Sequence, residues 1–136
     1  MTTVRHAVPF YETDAMGIVH HSNHVRYFEL ARIGFLEQHD LPYEQYVASG
    51  LHFATTRVEV DYHRPARFAD VVEITVWAEA VRRASLRMAY VLRTAGEVIA
   101  TGATEHAAVD TNGKVTRLPK ERREVLLALV GKSATS

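Results

Sequence analysis

Between Ser22 and His39 the chain carries Val25, Phe28, Leu30, Ala31, Ile33, Phe35 and Leu36. Wound as a helix, these side chains take most of the circumference. Arg26, Glu29 and Glu37 leave only a narrow polar side. A helix apolar on most faces is buried on most faces. The rest of the chain must therefore be able to wrap it. Ser22 is placed to serve as its N-cap.

What surrounds this helix has a different period. Before it, residues 4–8 read as a short strand ending at Pro9. After it, Pro42 and Gly50 bracket a short second helix in "LPYEQYVASG". In "TRVEVDYHR", Val58, Val60 and Tyr62 alternate with Arg57, Glu59, Asp61 and His63, which is strand spacing. "DVVEITVWAEAV", "SLRMAYVLR" and "EVIATGATEHAAVD" read the same way. Turns are expected at Arg82–Ala84, at Ala95–Gly96 and at Asn112–Gly113, the last a strong hairpin signal. Pro119 opens a final helix stopped near Gly131. Strand and helix do not alternate, which speaks against a doubly wound parallel sheet. The order predicts an α+β fold with an antiparallel sheet curled around one long helix. Val71, Trp77, Val81 and Val91 suggest a second apolar sheet face, which a partner subunit would cover. A homo-oligomer is expected, a dimer at least and a tetramer by preference.

At 136 residues the chain fits one domain. We assign residues 1–130 to it and read 131–136 as a flexible tail. The hydrophobic fraction of 47% can supply a core. Zero formal net charge speaks against a nucleic-acid partner held by bulk positive charge. Without cysteine there is no disulfide, thiolate nucleophile or Cys-type zinc site. No apolar run reaches the roughly 18 residues of a membrane span. "MTTVRHAV" lacks the apolar core of a signal peptide. The expected compartment is the cytoplasm.

The chemistry concentrates in "FYETDAMGIVHHSNHVRYFE", residues 10–29. Asp14, just ahead of the buried helix, is placed to act as general base or nucleophile. A loop Asp capping a turn is the plainer alternative. The free N–H groups at the helix start attract negative charge, as a thioester or ester carbonyl oxygen acquires during attack, although every helix has such an end. Gly17 lets the backbone turn. His20 and His24 stand at i and i+4, as zinc-binding histidines do on a helix. However, His20 precedes the expected helix, and no H-E-x-x-H pattern is present. Pocket-lining or hydrogen-bonded roles suit these histidines and His21 better than a metal. Arg82 and Arg83 share a turn, where a pair can bind phosphate or simply be solvated. Lys114, Arg117 and Lys120 form a second basic group. Glycine-rich nucleotide loops and the G-x-S-x-G elbow are absent.

"YETDAMGIVHHSNHVRYFELAR" resembles the signature segment of the 4-hydroxybenzoyl-CoA thioesterase family of hotdog-fold acyl-CoA thioesterases. "YHRPARFADVVEI" and "RRASLRMAYVL" resemble later parts of the same pattern, and the likeness runs from about Val4 to Leu127. The resemblance implies the hotdog fold and an acyl-CoA substrate, with no cofactor. It implies that Asp14 is the catalytic carboxylate. The backbone N–H near His21 would polarise the thioester carbonyl, and the His21 side chain would take part as in one branch of the family. Gly17, Val19 and Asn23 would contact substrate, and Arg82, Arg83 and Lys114 would hold the phosphates of coenzyme A. The sequence departs from the pattern at Ala69, where glycine is common, and at His20, where an aromatic often stands. An acyl-carrier-protein thioesterase and a non-catalytic acyl-CoA binder are the alternatives.

Overall fold

A computed structural model describes residues 1–131. Five antiparallel strands form one sheet: β1 (Thr2–Ala7), β2 (His52–Tyr62), β3 (Val71–Val81), β4 (Ser85–Thr94) and β5 (Glu97–Val109). Their order across the sheet is β1-β3-β4-β5-β2. The long helix α1 (Asn23–His39) packs on one face and touches β3 and both edge strands, β1 and β2, so the sheet wraps it. A short helix α2 (Tyr43–Ala48) leads into β2, and α3 (Lys120–Leu127) ends the described chain. Asp40, just past α1, ties these pieces together. One of its carboxylate oxygens accepts from the Tyr46 hydroxyl of α2 and the other from Arg122 of α3.

Alternation decides which side chains meet the helix. Val72, Ile74, Val76 and Ala78 of β3 face inward, with Leu86, Met88, Tyr90 and Leu92 of β4. Phe28 of α1 stacks on Tyr90, ring centroids 4.3 Å apart and planes 15° from parallel. Gly102 of β5, paired with Tyr90, makes room for this ring. A Cβ there would come within 2.5 Å of Phe28 Cζ and of the Glu59 carbonyl oxygen. Gly102→Ala is therefore expected to destabilise the protein by about 1–3 kcal/mol through overpacking. Urea unfolding measures this, and an unchanged midpoint would show that Phe28 moves aside freely.

Several expectations need correction. In the single chain, α1 buries one face only. Asn23, His24, Tyr27, Phe28, Ala31, Phe35 and Leu36 are buried, while Val25 and Leu30 remain 38% and 45% exposed. Ser22 stands at the cap position, but its side chain does not cap the helix. Its hydroxyl hydrogen-bonds His20 Nδ1 instead, at 2.8 Å. Val81 does not belong to the outer face. A register shift between Ala78 and Ala80 reverses the alternation and turns Val81 inward, opposite Leu86. Val71 is exposed, and Trp77 and Val91 are half-buried on the outer side. Val58 and Tyr62 are exposed because β2 is an edge strand. The Asn112–Gly113 turn forms, but its returning arm is a single bridge, Val115 to Val109, because Pro119 follows so soon. Of the expected tail, residues 132–136 lie outside the described residues.

Candidate active site

Two turns build the loop that carries Asp14. Asp14 Oδ1 accepts the Met16 N–H at 2.8 Å and the Ile18 N–H at 3.4 Å, and the Asp14 N–H donates to the Ile18 carbonyl at 2.8 Å. Gly17 closes the turn with φ +79°, a conformation that glycine adopts without strain. Among the described residues, Asp14 Oδ2 accepts no hydrogen bond. So the side chain is both turn cap and available carboxylate: one oxygen organises the loop and the other is free.

The loop is pinned to α1 and to the approach to β3. The Glu12 carbonyl accepts from the His20 N–H at 2.8 Å and from the Asn23 side-chain amide at 3.0 Å. The buried Glu12 carboxylate takes the Tyr27 hydroxyl at 2.7 Å and His6 Nε2 at 2.9 Å. Val19 is buried, and its N–H donates to the Ala66 carbonyl at 2.8 Å. Ala69 sits in the turn just beyond with φ +70°. That left-handed backbone gives a physical reason for the glycine common at this place.

One cavity of about 380 Å³ collects Asp14, Ile18, Val19, His21, His24, Tyr62, His63, Arg64 and Pro65. It opens at the start of α1. The Tyr62 hydroxyl donates to the His21 carbonyl at 2.8 Å, anchoring the helix start to the end of β2. The His21 N–H has no acceptor among the described residues. The His20 and His21 rings stack at 4.1 Å, whereas His24 is buried on the wall of the cavity. Its burial, the largest influence, holds the imidazole pKa below the ordinary histidine value. Among the described residues, no three His, Asp or Glu side chains are grouped to hold a metal ion.

Asp14, Val19 and His21 thus come together. Gly17 and Asn23 do not line the cavity; one shapes the loop and the other clamps it to α1. The alternation in the sequence marks Tyr62 and His63 only as strand residues. Nothing in the spacing shows that the end of β2 returns to the start of α1.

Arg64 lines this cavity, but the basic residues expected to hold phosphates lie elsewhere. Val8 and Ala66 hold the Asp14 loop beside the start of β3, and Arg82 and Arg83 follow its other end. The length of β3 separates them, about 30 Å at roughly 3.3 Å per residue. There Arg83, Arg117, Lys120 and Arg123 line a second cavity of about 510 Å³. Arg82 is not part of it; its guanidinium lies 3.9 Å from Glu105. Lys114 is exposed at the same end, beyond β5, and does not line this cavity either. Sequence reasoning misses Arg123. Its signal is spacing: it stands three residues after Lys120, on the same side of α3.

Residues 8–128 match the thioesterase-like superfamily. The solved structure of a protein from Aquifex aeolicus is 38% identical, with a TM-score of 0.88 over 93% of this chain and 99% of that one. A thioesterase from Thermus thermophilus, solved in complex with coenzyme A and zinc, is 33% identical. Its TM-score is 0.82, over 95% of this chain and 93% of that one. The acyl-CoA thioester hydrolase YbgC of Escherichia coli is 33% identical over 79 residues, 58% of this chain and 59% of its own length. With this loop, this helix start and this sheet, the chain belongs to the thioesterase-like superfamily and has its hotdog fold.

Proposed function

We propose that the chain hydrolyses an acyl-CoA thioester to the free acid and coenzyme A. Membership of the superfamily and the likeness to a relative named an acyl-CoA thioester hydrolase support thioester hydrolysis. The observation that carries the finer reading is the shared cavity: Asp14 offers a free carboxylate oxygen on one wall and His21 an unpaired backbone N–H on another. Set between them, a thioester carbonyl directs its oxygen at the His21 N–H and its carbon at whatever Asp14 delivers. The helix start stabilises the oxyanion as it forms. Asp14 delivers either its own oxygen, giving an anhydride that water then opens, or a water molecule from which it has taken a proton.

Coenzyme A phosphates bound by the cationic end of the sheet lie too far from Asp14 within one chain. A second copy resolves this. β2 is an edge strand of 11 residues with nothing on its outer side among the described residues. Antiparallel pairing of two β2 edges brings the cationic end of one sheet alongside the catalytic end of the other. The intervening strands are spaced about 4.8 Å apart. The active site is then composite and the dimer obligatory.

Thiol release measured over a panel of acyl-CoAs tests the reading, with the same acyl groups on a carrier protein and on N-acetylcysteamine. Turnover with the coenzyme A series, weakened for the truncated thioesters, is the expected result. Turnover confined to the carrier-protein series replaces the substrate. No turnover with any of them leaves a non-catalytic binder.

A further inference from the structure

His24 lies in the first turn of α1, 3% exposed, on the wall of the cavity that Asp14 and His21 share. Its ring is fixed. Nδ1 is 3.2 Å from the His21 carbonyl oxygen, and the ring meets Tyr62 edge-on with centroids 4.7 Å apart. A carbonyl oxygen only accepts, so Nδ1 carries the hydrogen and Nε2 keeps the lone pair. Nε2 has no hydrogen-bond partner among the described residues. It is not sealed in either, since the only buried side-chain nitrogen or oxygen there without a partner is Arg123 Nε. It is thus an unpaired acceptor with exposed surface, on a side chain that lines the cavity. Burial disfavours the charged imidazolium, which keeps this acceptor available at neutral pH.

We propose that His24 Nε2 holds the hydrolytic water as a second acceptor opposite Asp14. Two acceptors facing one cavity grip both hydrogens of one water and aim its lone pair at the thioester carbon. This rests on Asp14 being the catalytic carboxylate and selects its general-base role. The water oxygen forms the new C–O bond while one proton passes to Asp14. The C–S bond then breaks, and the thiolate takes that proton from Asp14. Acid and thiol leave, and His24, which only held the other O–H, is unchanged.

Two substitutions separate this role from a structural one. His24→Asn keeps a donor at the place of Nδ1 and has nothing at Nε2, whereas His24→Gln supplies an amide acceptor near Nε2. His24→Asn is expected to lose about tenfold or more in kcat, the worth of one well-placed hydrogen bond. KM should stay within about twofold because ground-state binding is untouched, and His24→Gln should recover most of the loss. If either variant is unfolded at the assay temperature, His24→Phe replaces it and is expected to be as slow as the Asn form. Equal kcat in the variants and the unmodified protein overturns the proposal. So do equal losses in the Asn and Gln forms, or a change confined to KM. Single turnover in ¹⁸O-water should place the label in the released acid; label in the Asp14 carboxylate overturns the water-holding role. An active protein that is dead as Asp14→Asn yet unaffected by His24→Asn defeats this inference alone. An active protein indifferent to Asp14→Asn defeats the reading beneath it.

Discussion

Asp14→Asn is expected to lower turnover about 100-fold or more, the range for loss of a general base or carboxylate nucleophile. The structure explains why the fold should survive. The Asn amide oxygen can take over the bonds that Asp14 Oδ1 accepts from the Met16 and Ile18 N–H groups, so the turn around Gly17 persists. What disappears is the charge and basicity of the free Oδ2. The amide nitrogen in its place donates rather than accepts, and it takes no proton. Steady-state thiol release together with circular dichroism checks both halves. Near-normal kcat in a folded Asp14→Asn protein would remove Asp14 from the chemistry and leave it a loop cap.

Mixing two inactive variants should restore activity if the site spans two chains. Asp14→Asn disables the catalytic end, and Arg83→Ala with Arg117→Ala disables the cationic end. Each homodimer then has two defective sites. In a two-fold heterodimer the defects segregate: one site carries both and the other carries neither. Random exchange of equal amounts makes half of the dimers mixed, so about a quarter of the unmodified protein's activity is expected. Unfolding and refolding the mixture provides the exchange. Activity no greater than the sum of the separate variants would place all these groups in one chain's site or take the arginines out of it. Given the length of β3 between the two ends, only the second would agree with the fold.

How much of this is legible in the sequence follows from the range of each interaction. Helix α1 is legible almost to its ends because its period and terminal signals are local. The β3, β4 and β5 segments are legible for the same reason, together with the turns that join them. The third hairpin signal promises more than the fold delivers, since its turn forms without a second strand. The outer face is misleading at Val81 because a register shift is settled by pairing with β4 and leaves no mark on the alternation itself. The loop motif points to Asp14 and the start of α1, which lie within a few residues of each other. Tyr62 and His63 cannot be placed in the same cavity from the sequence, being about 40 residues on; closure of that loop depends on the whole sheet.

The sequence by itself determined the element order, the long helix and the position of the Asp14 loop just ahead of it. Each follows from backbone preference and side-chain period over fewer than about 20 residues. Only the tertiary structure decided three other things. It turned Asn23 into a clamp, because the Glu12 carbonyl folds back over the start of α1. It buried the His24 ring against Tyr62 and set its Nδ1 on the His21 carbonyl, because the end of β2 returns to the start of α1. It also put Arg83 and Asp14 at opposite ends of the sheet, since an antiparallel strand carries its two ends apart by its full length.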